Sequence, residues 1–335
     1  ASDVYKRQTI ALTFFTRGFL LSRSVLPDLA SCESQNALLG LQENGYENND
    51  ACFHPAPFNK AVILIIDALR FDFTIPVPVP LDGSSSDANY HNNFNVFYDA
   101  FQNHPENSLL LKFIADPPTT TLQRLKGLTT GSLPTFIDAG SNFDGDTVLE
   151  DNLLSQLFHN NKSVAFTGDD TWMAMFSPFI NQSLCYPYDS LNVWDLHSVD
   201  NGVIEHLFPL LEQNRQQQQQ QQHQDWDVLI GHFLGVDHCG HRYGPQHYAM
   251  KDKLQQLNDI VERVMKEISD DTLLVVFGDH GMDSTGNHGG ESDDEVEAAL
   301  FMYSKQKHFK HFKDENIYDI SNLCLLYTSP SPRDT

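Results

Sequence analysis

Basic residues are scarce in this 335-residue chain: 21 Lys and Arg stand against 45 Asp and Glu, a formal net charge of −24. Phosphate backbones select Lys and Arg, so the balance argues against a nucleic-acid partner. It suits a cation-binding protein or a well-solvated ectodomain. Cysteine is sparse too. Cys32, Cys52, Cys185, Cys239 and Cys324 form no CxxC pair, which argues against a thiolate zinc cage. Cys32 and Cys52 bracket a polar loop and could close it in an oxidising compartment. The sequons Asn161-Lys-Ser and Asn181-Gln-Ser point to the same side of a membrane. No apolar run reaches the roughly 20 residues needed to span a bilayer. Thr9–Leu21 comes nearest, is interrupted by Arg17, and reads as the remnant of a signal anchor or as a buried helix.

With 40% hydrophobic residues, the chain can nevertheless bury a substantial core. Residues 1–8 and 325–335 match no element pattern and resemble translated adapter sequence, so they are read as non-native tails. Residues 9–56 are read as a membrane-proximal remnant and loop, and 57–324 as one folded domain, truncated. Four apolar runs end in acidic or polar residues: Ala61–Ile66, Val164–Phe166, Val228–Leu234 and Leu273–Phe277. A fifth, Ala298–Tyr303, follows. Such runs read as strands buried on both faces. Between them lie helical patterns, clearest in Met250, Leu254, Leu257, Val261, Val264 and Ile268, and weaker over Asp151–Asn160 and Asn201–Arg215. The alternation predicts an α/β fold with a mostly parallel central sheet and helices on both faces. Ile75–Asn95 reads as a loop, and the glutamine-rich stretch 216–224 as a flexible insertion.

In such sheets ligands bind beyond the carboxyl ends of the strands. Asp67, Asp237 and Asp279 all fall there. Asp237 and His241 stand four apart, so one helical turn or a tight loop brings both to one centre. His238 is the competing neighbour. Asp279 and His280 follow Gly278, and His288 arrives from the next loop among glycines that permit close approach. Carboxylates and imidazoles suit Zn²⁺ or Mn²⁺. Six ligands are too many for one tetrahedral zinc and enough for two ions. Thr119, Thr120 and Thr121 open a helix marked by Leu122, Leu125 and Leu128. A hydroxyl there serves as an N-cap, or as a nucleophile when a cation lowers its pKa.

Asp67, the Pro118-Thr-Thr-Thr stretch, Asp237-His-Cys-Gly-His241-Arg-Tyr-Gly-Pro245, Gly278-Asp-His-Gly-Met282 and Asn287-His-Gly-Gly290 stand in the order seen in the phosphodiesterase branch of the alkaline phosphatase superfamily, which this sequence resembles. The resemblance implies an alkaline-phosphatase-like fold. It implies one ion held by Asp67, Thr121, Asp279 and His280, and another by Asp237, His241 and His288. It also implies Thr121 as nucleophile and Asn142 as a phosphoryl-oxygen partner. Pro118–Asp138, Gly168-Asp-Asp-Thr-Trp172 and His288-Gly-Gly-Glu-Ser292 are similar to the GPI ethanolamine-phosphate transferases.

That likeness implies transfer of phosphoethanolamine from phosphatidylethanolamine to a mannose, the third, of the GPI glycolipid, with two divalent ions, zinc above manganese. It further implies an endoplasmic-reticulum membrane location with a lumenal catalytic domain, membrane segments outside this chain, and a small membrane partner subunit. A metal-dependent phosphodiesterase using water on the same site is the nearest alternative, and a catalytically dead ectodomain a more distant one. A sulfatase is disfavoured, because no Cys or Ser stands two before a Pro and four before an Arg after the first strand.

Overall fold

The computed structural model describes residues 2–19, 29–30, 57–78, 88–133, 147–220 and 225–309. Seven strands form one sheet: β1 (Lys60–Ile66), β2 (Ser108–Ile114), β3 (Val164–Asp169), β4 (Cys185–Tyr188), β5 (Val228–Phe233), β6 (Thr272–Phe277) and β7 (Glu297–Tyr303). Their order is β2-β7-β6-β1-β5-β3-β4. β1 lies at the centre, parallel to β5 on one side and β6 on the other, and β3 and β4 continue the parallel run. Only the β6-β7-β2 edge is antiparallel. The α/β, mostly parallel architecture is therefore the one the apolar runs predict.

The helices are α1 (Ser2–Phe19), α2 (Val96–Asn103), α3 (Thr121–Thr130), α4 (Leu153–His159), α5 (Thr171–Phe176), α6 (Ser198–Gln219), α7 (Gly235–Tyr243), α8 (Tyr248–Glu267) and α9 (Asp293–Val296). Successive β1 side chains point to opposite faces. Val62, Leu64 and Ile66 pack with α2, α6 and α8 in one core. Ile65 packs with α3, α4 and α5 in a second. Helices thus cover both faces of the sheet.

Sequence patterning overlooks β2, β4 and α2. β4 is short, carries Pro187 and sits at the sheet edge, where a missing N–H costs no ladder bond. β2 is a plain Leu-rich run whose strand character comes from pairing with β7. The glutamine stretch differs from expectation in part: Gln216–Gln219 belong to α6, consistent with the good helix propensity of Gln, and Gln217 Nε2 donates to Asp225 at 2.8 Å. Residues 2–8 and 9–19 form one helix. Among the described residues no helix is long and apolar enough to cross a membrane. Cys185 and Cys239 are free thiols, while Cys32, Cys52 and Cys324 lie outside the described residues.

α8 shows how sequence becomes packing. Met250, Leu254, Leu257, Val261 and Val264 form its buried stripe, each no more than 1% exposed. Truncating a fully buried Leu costs about 2–5 kcal/mol through lost transfer energy and the cavity left behind. Leu254→Ala should lower the unfolding free energy by that amount in a denaturant titration. An unchanged midpoint would contradict the packing described.

Candidate active site

The strand register decides where the chemistry sits. Ile66 is level with Phe233, and Ile65 with Phe277, so β1, β5 and β6 end side by side. The residues that follow emerge at one rim: Asp67 after β1, the first turn of α7 after β5, and Gly278-Asp279-His280 after β6. The backbone N–H of Asp67 donates to Phe233 O at 2.9 Å, and that of Ala68 to Asp279 Oδ1 at 3.3 Å. Asp200 fixes the β5-to-α7 turn. Its Oδ1 accepts from the N–H groups of Leu234 and Gly235 at 3.0 Å, while its Oδ2 pairs with buried Lys253 at 2.9 Å.

Six expected acidic and imidazole side chains divide into two trios, the ligand atoms within each lying inside 4.8 Å of one another. Asp67, Asp279 and His280 are wholly buried. His280 Nε2 lies 3.4 Å from Asp67 Oδ1 and 3.5 Å from Asp279 Oδ2. Asp237, His241 and His288 form a more open trio. His288 Nε2 is 3.2 Å, and His241 Nε2 3.4 Å, from Asp237 Oδ1. Stacked His280 and His288 rings, 4.1 Å apart, join the trios. His238 turns away and bonds through Nδ1 to Asp195 O at 2.9 Å.

Backbone carbonyls set the imidazole tautomers. Nδ1–H of His280 donates to Gly281 O at 2.9 Å, and Nδ1–H of His288 to Thr119 O at 2.7 Å. In the neutral rings both Nε2 lone pairs therefore face the trios, the arrangement metal-ligating histidines adopt. Gly286 permits the close approach behind this: at φ +84, a Cβ there would lie 2.0 Å from Gly240 O on α7.

The three threonines separate cleanly. Thr119 Oγ1 donates to Gly290 O at 2.9 Å and accepts from Gly289 N–H at 2.8 Å, clipping the His288 loop in place. Thr120 Oγ1 donates to Gln123 Oε1. Thr121 Oγ1, on the first residue of α3, instead donates to Asp67 Oδ2 at 3.1 Å and so faces the buried trio. Asn142 lies outside the described residues.

Among the described residues, five of nine buried polar side-chain atoms without a hydrogen-bond partner cluster here: Asp67 Oδ1, Asp237 Oδ1, Asp279 Oδ2, His280 Nε2 and His232 Nε2. Unpaired buried carboxylate oxygens and the His280 lone pair are costly by themselves and fit divalent cations. The electrostatics agree. Burial, then the charges of Asp279 and Asp237, pushes Asp67 above the usual carboxylate range, and burial does the same to Asp279. Burial pushes His280 down to about 4. For Asp237 burial is outweighed by His288, His241 and His280, which hold it at about 2. For His288 burial is likewise outweighed, chiefly by Asp237, raising it to about 9.

Two neighbours escape the sequence reading. Arg124 is buried one turn after Thr121, and its Nε donates to Asp279 O at 3.0 Å, tying α3 to the β6 loop. His232 is fully buried at the end of β5, with Nε2 3.6 Å from Asp67 Oδ2. The available signal for His232 is a polar residue inside the apolar run Val228–Leu234.

The type I phosphodiesterase / nucleotide pyrophosphatase family matches residues 102–322 of this chain. A Saccharomyces cerevisiae protein named GPI ethanolamine phosphate transferase 3 is 54% identical over 323 residues, covering 96% of this chain and 29% of that protein. Its Homo sapiens counterpart, named GPI ethanolamine phosphate transferase 3, catalytic subunit, is 42% identical over 319 residues, covering 95% of this chain and 28% of its own length. The chain thus spans under a third of these curated relatives. The crystal structure of the lipoteichoic acid synthase LtaP from Listeria monocytogenes shares the fold, with a TM-score of 0.50 and 14% identity over 85% of this chain and 73% of that one. The chain belongs to the type I phosphodiesterase / nucleotide pyrophosphatase family, within the alkaline phosphatase superfamily.

Proposed function

We propose that this chain is the catalytic part of a phosphoethanolamine transferase, moving the group from phosphatidylethanolamine to a mannose, the third, of the GPI glycolipid. The observation that carries the reading is a threonine hydroxyl, Thr121 Oγ1, hydrogen-bonded to a carboxylate of the buried one of two trios of cation-type donors. The names of the relatives supply the substrate class.

In the first step Thr121 Oγ1 attacks the phosphorus of the donor. The bond to the diacylglycerol oxygen breaks, and the threonine proton ends on that leaving group. In the second step the mannose 6-hydroxyl attacks the same phosphorus, the threonine ester breaks, and the acceptor's proton returns to Thr121. Asp67 orients the threonine hydroxyl, Arg124 holds α3 against the β6 loop, and Thr119 holds the His288 loop. Asp67, Thr121, Asp279 and His280 would hold one divalent cation, and Asp237, His241 and His288 another, the mixed carboxylate and imidazole donors suiting zinc better than ions that prefer all-oxygen shells. Bound there, such cations neutralise charge on the phosphoryl oxygens and lower the pKa of an alcohol. The exposed His241 marks the side open to an acceptor. We assign Asn142 to the phosphoryl oxygens by resemblance alone.

Location follows as part of the same proposal: the endoplasmic-reticulum membrane, with this domain lumenal. Exposed Asn161 can accept a glycan there, whereas the Asn181 side-chain nitrogen donates to Ser163. The human relative's designation as a catalytic subunit supports a companion subunit.

Thr121→Ala should reduce transfer by on the order of 10⁴-fold or more while zinc remains bound, held at that site by Asp67, Asp279 and His280. Full activity in that variant would remove the nucleophile assignment. Radiolabelled phosphoethanolamine should partition to glycan over water; predominant release of the free group would mark a hydrolase instead. The pH dependence of zinc affinity has a defined sign. His288, at about 9 without cation, must lose a proton to bind, so affinity at that trio should rise about tenfold per pH unit towards pH 9 and then level. Affinity flat from pH 6 to 9 by competition titration would contradict this.

A further inference from the structure

Resting on the metal-dependent reading above, we propose that His232 is a positioning residue that holds Asp67 in register for the buried cation site, and that the Gly168-Asp-Asp-Thr-Trp172 segment exists to hold His232.

A histidine inside a strand buried on both faces needs partners, because an unsatisfied ring nitrogen in the core costs free energy. His232 is 0% exposed and points to the α3–α5 face of the sheet, the face of Ile230. Trp172 Nε1–H donates to its Nδ1 at 3.1 Å. The indole can only donate, so in the neutral ring Nδ1 is the acceptor and the proton sits on Nε2. In the charged ring both nitrogens carry protons. An N–H at Nε2 is therefore present in either form, and the group it faces is Asp67 Oδ2, at 3.6 Å. That separation exceeds a hydrogen bond, so the contact is electrostatic as it stands.

Asp67 uses its two oxygens differently. Oδ2 accepts from Thr121 and faces His232, whereas Oδ1 has no hydrogen-bond partner and faces His280. Positive edges collected on Oδ2 leave Oδ1 free for the cation. Ligating groups are commonly oriented by such outer partners.

The β3–α5 corner is shaped around this ring. Gly168 pairs with His232 across β3 and β5, at φ +133, and a Cβ there would lie 2.3 Å from His232 O. Asp169 Oδ1 accepts from Thr171 N–H at 2.8 Å, starting α5 so that Trp172 reaches the imidazole. Its Oδ2 lies 3.5 Å from Nδ1. Asp170 Oδ1 accepts from Ser190 N–H at 3.2 Å and from Ser190 Oγ at 2.7 Å, anchoring the corner to the segment after β4.

The test is zinc retention by the intact protein, titrated against a chelator, in His232→Leu, His232→Gln and Trp172→Phe. His232→Leu should weaken one of two ions by about 10–100-fold. His232→Gln, whose amide N–H reaches the Nε2 position, should recover most of that loss. A folded His232→Leu that holds both ions as tightly as the unsubstituted protein overturns the proposal, as does a Gln variant no better than Leu. Should the Leu variant fail to fold, Trp172→Phe decides: severalfold weaker retention of one ion supports the role, and unchanged retention refutes it. An unsubstituted protein that binds no zinc would overturn this inference together with the metal reading, whereas tight binding untouched by these variants overturns the inference alone.

Discussion

Three aspartates brought to one buried rim govern this structure. Asp67, Asp237 and Asp279 follow three neighbouring parallel strands, and each keeps a buried oxygen with no hydrogen-bond partner. Removing a carboxylate from water costs several kcal/mol even after relaxation. A fold tolerates three such groups together only where positive charge gathers them, and imidazoles with lone pairs turned inward supply the rest of a cation's shell.

The scaffold converts that electrostatic demand into geometry. Central β1 is gripped by cores on both faces, so the position of Asp67 is set by packing rather than by a loose loop. The buried Asp200–Lys253 pair does the same for the entrance to α7, and Arg124 for the span between Thr121 and Asp279. Of the two trios, one is sealed and the other opens to solvent. That asymmetry suits a reaction in which a protein nucleophile works from inside and a second alcohol arrives from outside.

Much of this was legible in the sequence, for physical reasons. Strands buried on both faces must be continuously apolar, so β1, β5 and β6 announce themselves, and the acidic residues after them fall at the ligand-binding rim of any parallel sheet. The Asp237–His241 spacing is local and needs only one helical turn. What depended on pairing was hidden: β2 takes its character from β7, and β4 is a short edge with a proline. The choice among Thr119, Thr120 and Thr121 rested on resemblance, because helix N-terminal position treats the three alike. Contacts with Gly290, Gln123 and Asp67 separate them. His232 was invisible to spacing, since its partners come from β1 and the start of α5.

The most direct measurement is diffraction from crystals of the zinc-loaded protein, recorded on both sides of the zinc absorption edge. The account predicts two anomalous peaks per chain, one among Asp67, Thr121, Asp279 and His280 and one among Asp237, His241 and His288. Peaks absent from both trios, with these side chains otherwise where they are described, would contradict it.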